Sequence, residues 1–193
     1  MYISQKLKES SIIEYLLYMW QVEDLIRAAG LDMDRLKEIV ISKYEANDDE
    51  KKELTEWYEN LISMMREEGV TQSGHLQINN NVVIHLTELH QRLLASPKFP
   101  FYTGTYYKAL PFIVELRHKG SGTDKPEIET CFEALYGVLL LRMQQKQISE
   151  ETQKAVKAIS ELLALLGTYY HKDKVGELEE LQRVCQKPNR SMS

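Results

Sequence analysis

Residues 48–69 read DDEKKELTEWYENLISMMREEG, and this stretch decides the fold class. Its apolar residues recur at steps of three and four, which is the spacing of one face of an α-helix. These residues are Leu54, Trp57, Tyr58, Leu61, Ile62 and Met65. Acidic residues at the start suit the N-terminal end of a helix, and a glycine commonly closes the C-terminal end. We therefore predict an amphipathic helix that begins near Asp48 or Asp49 and ends at Gly69.

The rest of the chain repeats this helical spacing on both sides of that stretch. The predicted helices cover about 10–29, 32–44, 74–95, 106–119, 124–143, 149–170 and, as one short element, 177–186. Three of these predicted helices follow a hydroxyl or carboxylate side chain. Such a side chain can accept hydrogen bonds from the free N–H groups of the first helical turn. These predicted N-caps are Ser10 or Ser11, Asp32 and Ser149.

Glycine and proline are scarce, with 9 and 5 among 193 residues. Their share is about 7%, against a usual ~12%, which indicates few turns and long elements. No segment alternates apolar and polar residues convincingly enough to be a β-strand. We predict an all-α fold, a compact bundle of six to eight helices without a β-sheet. It forms one domain over residues 1–186, and residues 187–193 form a flexible tail.

Some positions interrupt this regular pattern. Residues 96–104 contain two prolines and a glycine, and they are predicted to be a loop. Pro111 either starts the following helix or kinks it. Residues 120–123 are predicted to be a connection, and Asp124 with Glu127 matches a capping box that starts the next helix. Gly137 lies inside that helix, where its cost of about 1 kcal/mol relative to alanine suggests a close approach of another helix.

Charge and composition exclude several classes of function. The formal net charge is -5, and neither half of the chain carries the clustered positive charge that nucleic-acid binding needs. No window of 18 apolar residues exists, so we expect no membrane span. Glu14 interrupts the apolar run near the N-terminus, so we expect no secretory signal. Two cysteines, Cys131 and Cys185, are then expected to be reduced thiols in a cytoplasmic protein.

Known signatures of cofactor chemistry are absent from the sequence. We find no phosphate-binding glycine loop, no nucleophile elbow and no cysteine pair at zinc-ligand spacing. One Glu-x-x-His tetrad occurs, at Glu115 and His118, whereas a di-metal bundle needs such tetrads on two helices. We therefore assign no cofactor, metal site or catalytic residue. His85 is predicted to face inward on its helix, and His90 to point partly elsewhere.

The segment 99–117 concentrates aromatic residues, among them Tyr106 and Tyr107. One interpretation is a loop that its rings pin onto the bundle. The other is the rim of a binding groove, where Glu115 and Arg117 supply charge. Elsewhere, Glu23 and Arg27 are four residues apart on a predicted helix, and this spacing ordinarily indicates a modest surface ion pair.

Four stretches resemble a known family. They are EYLLYMWQVEDLIR at 14–27, GHLQIN at 74–79, YYKALPFIVELR at 106–117 and ETCF at 129–132. They resemble a bacterial family of uncharacterised helical proteins that is classed as a domain of unknown function, over roughly residues 1–170. The resemblance implies a single all-α domain of a bacterial, cytoplasmic protein. It implies no reaction, cofactor or catalytic residue.

Two functions remain open on the sequence alone. The favoured one is an interaction or regulatory module that binds a protein partner or a second copy of itself through an aromatic and apolar surface. Such a module would not be an enzyme. The alternative is a ligand-binding or enzymatic bundle, metal-dependent in one version, with a polar pocket between helices. In it Glu115 is a base, Arg117 binds an anion, and His75 and Gln77 converge with them. We take six residues as candidate binding residues: His75, Gln77, Tyr106, Tyr107, Glu115 and Arg117.

Overall fold

A computed structural model describes residues 2–45, 47–119 and 125–178. These residues form eight α-helices and no β-strand, which confirms the all-α prediction. The helices are α1 (Tyr2–Ser10), α2 (Ile12–Ala28), α3 (Met33–Ile39), α4 (Asp48–Glu67), α5 (Gln77–Ala95), α6 (Pro100–Lys119), α7 (Glu127–Met143) and α8 (Glu150–Lys174). A single 3-10 turn, Ile41–Lys43, follows α3. The predictions for Asp124, for the connection 120–123 and for residues 179–193 lie outside the described residues.

Most predicted helix starts are confirmed. The Ser11 side chain accepts the backbone N–H of Glu14 at 3.3 Å and so caps α2. Asp32 caps α3 and Ser149 caps α8 in the same way. At the start of α4, Asn47 and Glu50 each accept the other's backbone N–H at 2.9 Å, which forms a complete capping box. Each cap satisfies N–H groups that the first turn leaves without an intrahelical partner.

The predicted loop over 96–104 is wrong in its second half, because α6 begins at Pro100 rather than near Tyr106. A proline at the first helical position loses nothing, since that N–H has no partner inside a helix. Pro111 therefore lies inside α6 and does not start it. It is on the exposed side of the helix, where water can satisfy the carbonyl that its missing N–H leaves free. Helix α1 was also not predicted.

The chain divides into two compact units, Met1–Val82 and Val83–Ser193. In the first unit, α2, α3 and α4 supply much of the core. Its fully buried side chains include Leu16, Trp20, Ile26, Leu36 and Met65. Of the six apolar residues that predicted α4, five are buried and Trp57 is half-buried. The amphipathic stripe of residues 48–69 is thus the face of α4 that enters this core.

In the second unit, α6, α7 and α8 pack against one another. Tyr102, Ile113 and Phe132 are among its fully buried side chains. Gly137 lies inside α7, and a Cβ added there would meet no described atom within 4 Å. Among the described residues, no other helix closely approaches this glycine. None of the described helices is both long and apolar enough to cross a membrane. That residues 1–186 form one domain stays a prediction.

Candidate functional site

Helix α6 has apolar residues on two of its faces. One face buries Tyr102, Ala109 and Ile113 in the second unit. The other face is open to solvent, and we call it the α6 apolar face. It consists of Phe101, Gly104, Tyr107, Pro111 and Val114. Solvated helix faces are normally polar, so an exposed apolar stripe of this kind is unusual.

Three large side chains of the α6 apolar face are well exposed: Phe101 at 73%, Tyr107 at 63% and Val114 at 42%. Between them, a Cβ added to Gly104 would meet no described atom within 4 Å. The five residues follow one another at steps of three, three, four and three, so they form one continuous stripe along the helix. The arrangement presents two aromatic rings on either side of a position without a side chain.

The inner side of α6 carries a polar network in the second unit. His90 Nδ1 of α5 lies 2.6 Å from the hydroxyl oxygen of Tyr102, and both side chains are buried. His90 Nε2 lies 3.6 Å from Oε2 of Glu127, and Arg117 Nη1 lies 3.9 Å from Oε1 of the same carboxylate. The Tyr106 ring meets the His90 ring edge-on at 5.1 Å between centroids. The predicted residues Tyr106 and Arg117 thus belong to one cluster.

Burial is the largest cause of the pKa shifts of His90 and Tyr106 in this network. It lowers the pKa of His90 from the ordinary value, and the Glu127 carboxylate opposes this shift. Burial and a hydrogen bond with Glu127 raise the pKa of Tyr106 to about 12. The neutral forms of His90 and both tyrosines are therefore favoured near neutral pH. His90 is 4% exposed whereas His85 is exposed, so the predicted orientation of these two histidines was wrong.

Glu115 lies on a different side of α6 from the polar network. Its carboxylate accepts a hydrogen bond from Nζ of Lys119, one turn further along. It also lines a small cleft of about 80 Å³ with side chains of α8 that include Thr152. Glu115 was predicted to act as a base beside Arg117 as an anion clamp. In the structure Glu115 pairs with Lys119, whereas Arg117 lies near Glu127.

His75 has a polar partner in the first unit. Its Nδ1 atom lies 2.6 Å from Oε2 of Glu23, and the Glu23 side chain is 0% exposed. The other carboxylate oxygen of Glu23 accepts the backbone N–H of Leu76 at 3.0 Å and the side-chain amide of Asn79 at 2.7 Å. The His75 ring stacks on Trp20 with 4.0 Å between centroids and 10° between planes. One buried carboxylate therefore contacts three residues at or just before the start of α5.

Arg27 holds the segment just before this cluster. Its guanidinium donates to the backbone carbonyls of Val70 and Gly74, and its Nη1 atom lies 2.8 Å from Oδ1 of Asp24. The predicted surface ion pair between Glu23 and Arg27 is thus wrong, because both side chains point inward and take other partners. The signal for this was available, since Leu16, Trp20, Glu23 and Arg27 share one face of α2 at steps of four, three and four.

The remaining predicted residues are placed as follows. Gln77 is exposed, and its side-chain amide donates to Oδ1 of Asn81 at 2.8 Å. Tyr107 lies on the α6 apolar face. His75 and Gln77 belong to the first unit and Glu115 and Arg117 to the second, so their convergence stays a prediction. Among the described residues, no group of three histidine, cysteine, aspartate or glutamate side chains could hold a metal ion.

Sequence reasoning did not find Glu23, Asn79 or Phe101 as candidate site residues. The sequence predicts a loop at Phe101, and an exposed side chain in a loop does not indicate a binding surface. Glu23 had been assigned to the helix surface.

Comparison with known proteins places the chain in a family. A family model described as "Domain of unknown function (DUF4924)" matches residues 1–177. No curated protein and no solved structure matches the chain.

Proposed function

Because the chain belongs to the DUF4924 family, whose domain has no known function, we propose its role from the structure: a protein-interaction module that binds through the α6 apolar face. The observation that carries this proposal is the exposure of Phe101 and Tyr107, at 73% and 63%, on one continuous helical stripe. Exposed apolar patches on otherwise polar surfaces mark binding sites for other proteins. A few residues supply most of the binding free energy at interfaces, and tyrosine is one of the types enriched among them.

The occupant we propose is the same face of a second copy. In an antiparallel pair centred between Tyr107 and Lys108, Phe101 of one copy lies opposite Val114 of the other. Gly104 then lies opposite Pro111, so a position without a side chain accommodates a bulky ring. The face is therefore complementary to itself, as a two-fold dimer interface requires. Its five members carry no charge, and in this register the exposed Lys108 lies opposite Tyr107 of the other copy, where its flexible side chain can keep the amine in water.

Sedimentation equilibrium of the purified chain tests the proposal. We expect a monomer–dimer equilibrium, and we expect Phe101→Ser or Tyr107→Ser to weaken it. Loss of an aromatic side chain that carries binding energy at an interface costs about 2 kcal/mol or more, which is about 30-fold in Kd. Ile84→Ser is the matched control, because Ile84 is 52% exposed on α5 of the same unit but lies outside the α6 apolar face.

Two results would contradict the proposal. One is a chain that stays monomeric at every concentration reached. The other is a dimer that Ile84→Ser weakens as much as Phe101→Ser does. Far-UV circular dichroism of each variant checks that its helices are intact.

The proposal also extends to the setting of the protein. We take it to act in the bacterial cytoplasm, as a single domain, without nucleic acid or membrane as a partner. The net charge of -5 and the lack of a clustered basic region support the part of this proposal that concerns nucleic acid.

A further inference from the structure

We propose that His75 is a proton acceptor for water or for a small ligand that carries a hydroxyl group, and that Glu23 is the residue that positions it. This inference concerns the first unit and is independent of the α6 apolar face. It rests on the geometry of the histidine, on the burial of its carboxylate partner and on one buried amide oxygen.

The two nitrogens of His75 have different surroundings. Nδ1 faces the carboxylate of Glu23 at 2.6 Å, and a carboxylate can only accept, so the ring donates its proton there. This leaves the lone pair on Nε2. The side chain is 27% exposed although Trp20 covers one ring face and Glu23 the Nδ1 edge. We infer that the exposed part of the side chain includes Nε2.

A purely structural role explains this arrangement incompletely. Burying the Glu23 carboxylate costs several kcal/mol by order of magnitude, and its hydrogen bonds to Leu76 and Asn79 use only one of its two oxygens. A histidine oriented by a buried carboxylate is, however, the arrangement that fixes the tautomer of a general base. The stacked Trp20 ring further restricts the rotation of the imidazole.

Asn79 supplies the second observation. Its side chain is 0% exposed, and its amide nitrogen donates to Glu23 at 2.7 Å. Its Oδ1 atom is buried and has no hydrogen-bond partner among the described residues. A buried acceptor without a donor costs about 1–3 kcal/mol, and such a cost in a folded protein calls for an explanation. A bound water or ligand hydroxyl beside this cluster would supply the missing donor.

The proposed step is a proton transfer. The Nε2 lone pair forms a bond to the hydroxyl proton, the O–H bond breaks, and its electron pair stays on the oxygen. His75 then carries a positive charge. The Nδ1–H group keeps its hydrogen bond to Glu23, so the negative charge of the carboxylate faces the new positive charge. No other reactant is needed for this step.

Acylation of the intact protein by diethyl pyrocarbonate is the test, with the rate at each histidine followed by mass spectrometry of its peptide. The reagent attacks the unprotonated ring nitrogen. His85 and His118 are matched controls within the same chain, because both are exposed. We expect His75 to react several-fold faster than either control although it is less exposed. In Glu23→Gln we expect this advantage to be lost.

Nitrogen NMR of the wild-type protein gives a second readout that needs no variant. We expect His75 to show a protonated Nδ1 and an unprotonated Nε2. The proposal is overturned if His75 reacts no faster than His85 and His118, or if Nε2 carries the proton in the neutral ring. It is also overturned if Glu23→Gln keeps its helical content and His75 keeps its full reactivity. Equilibrium sedimentation reports on the α6 apolar face and is independent of either result.

Discussion

The Nδ1 atom of His75 lies 2.6 Å from Oε2 of Glu23, a carboxylate that is entirely buried. The two residues are 52 positions apart in the chain, and the contact joins the C-terminal half of α2 to the residues just before α5. Since Leu76 and Asn79 also donate to this carboxylate, one side chain organises the start of a helix from a neighbouring helix.

Replacement of Glu23 tests how much this cluster stabilises the fold. A glutamine oxygen can still accept from Leu76 and Asn79, but its amide N–H group then faces Nδ1 of His75 in place of a carboxylate oxygen, so Glu23→Gln breaks that contact. We expect the free energy of unfolding to fall by about 2–4 kcal/mol, measured by urea denaturation. Glu14→Gln on the same helix is the control, because Glu14 is exposed. A change within about 0.5 kcal/mol is expected there, and an equal loss in both variants would refute the role of burial.

Gly137 and Gly69 form a matched pair for a second prediction. A Cβ added at either position would meet no described atom within 4 Å. Gly137 has helical geometry inside α7, whereas Gly69 has a φ of +71°. We expect Gly137→Ala to stabilise the protein by about 0.5–1 kcal/mol and Gly69→Ala to destabilise it by about 1 kcal/mol. Thermal unfolding measures both, and a stability loss in Gly137→Ala would show that unseen packing constrains this glycine.

Local patterns predicted much of the fold. The apolar spacing of residues 48–69 and the caps at Asp32 and Ser149 depend on neighbours a few positions away, and these predictions are confirmed. The segment 96–104 was wrongly predicted to be a loop throughout, because the effect of a proline depends on its position. Inside a helix it removes a hydrogen bond, but at the first position of α6 it removes nothing.

The titration of His90 leads to a pH prediction. Burial holds its pKa below the ordinary value of 6.5. As the pH falls through that value, the unfolded chain binds a proton that the folded protein does not, so stability decreases. The slope from this group is at most about 1.4 kcal/mol per pH unit and ends below the folded pKa. Unfolding of His90→Gln should show a shallower slope below pH 6.5, with His85→Gln unchanged. An identical slope in His90→Gln would show that other groups cause it.

Cys131 should be inert in the folded protein. It is 0% exposed, and burial raises the pKa of its thiol to about 12. The thiolate is the reactive form, so alkylation by iodoacetamide at pH 8 should be slow until the protein unfolds. Mass spectrometry of the peptide that contains Cys131 gives the rate with and without urea. Rapid alkylation without urea would mean that α7 opens readily.

The candidate sites were harder to predict than the fold. Tyr106 and Arg117 were found, but the partner that they share, Glu127, had been assigned only to a helix start. Glu23 and His75 are far apart in the sequence, and no local spacing connects them. Which partner a buried polar side chain takes depends on long-range packing, and that information is spread over the whole chain.

Covalent cross-linking between copies most directly tests the proposal that two α6 apolar faces pair. Lys108 lies at the centre of the proposed antiparallel pair, so we expect Lys108→Cys to be joined to its counterpart by a short bis-maleimide. Cys185→Ser is the background for this variant, and Cys131 is buried. Ile84→Cys in the same background is the control. Efficient formation of a covalent dimer by Lys108→Cys alone is the predicted result. A yield no higher than that of Ile84→Cys would contradict the pairing of α6.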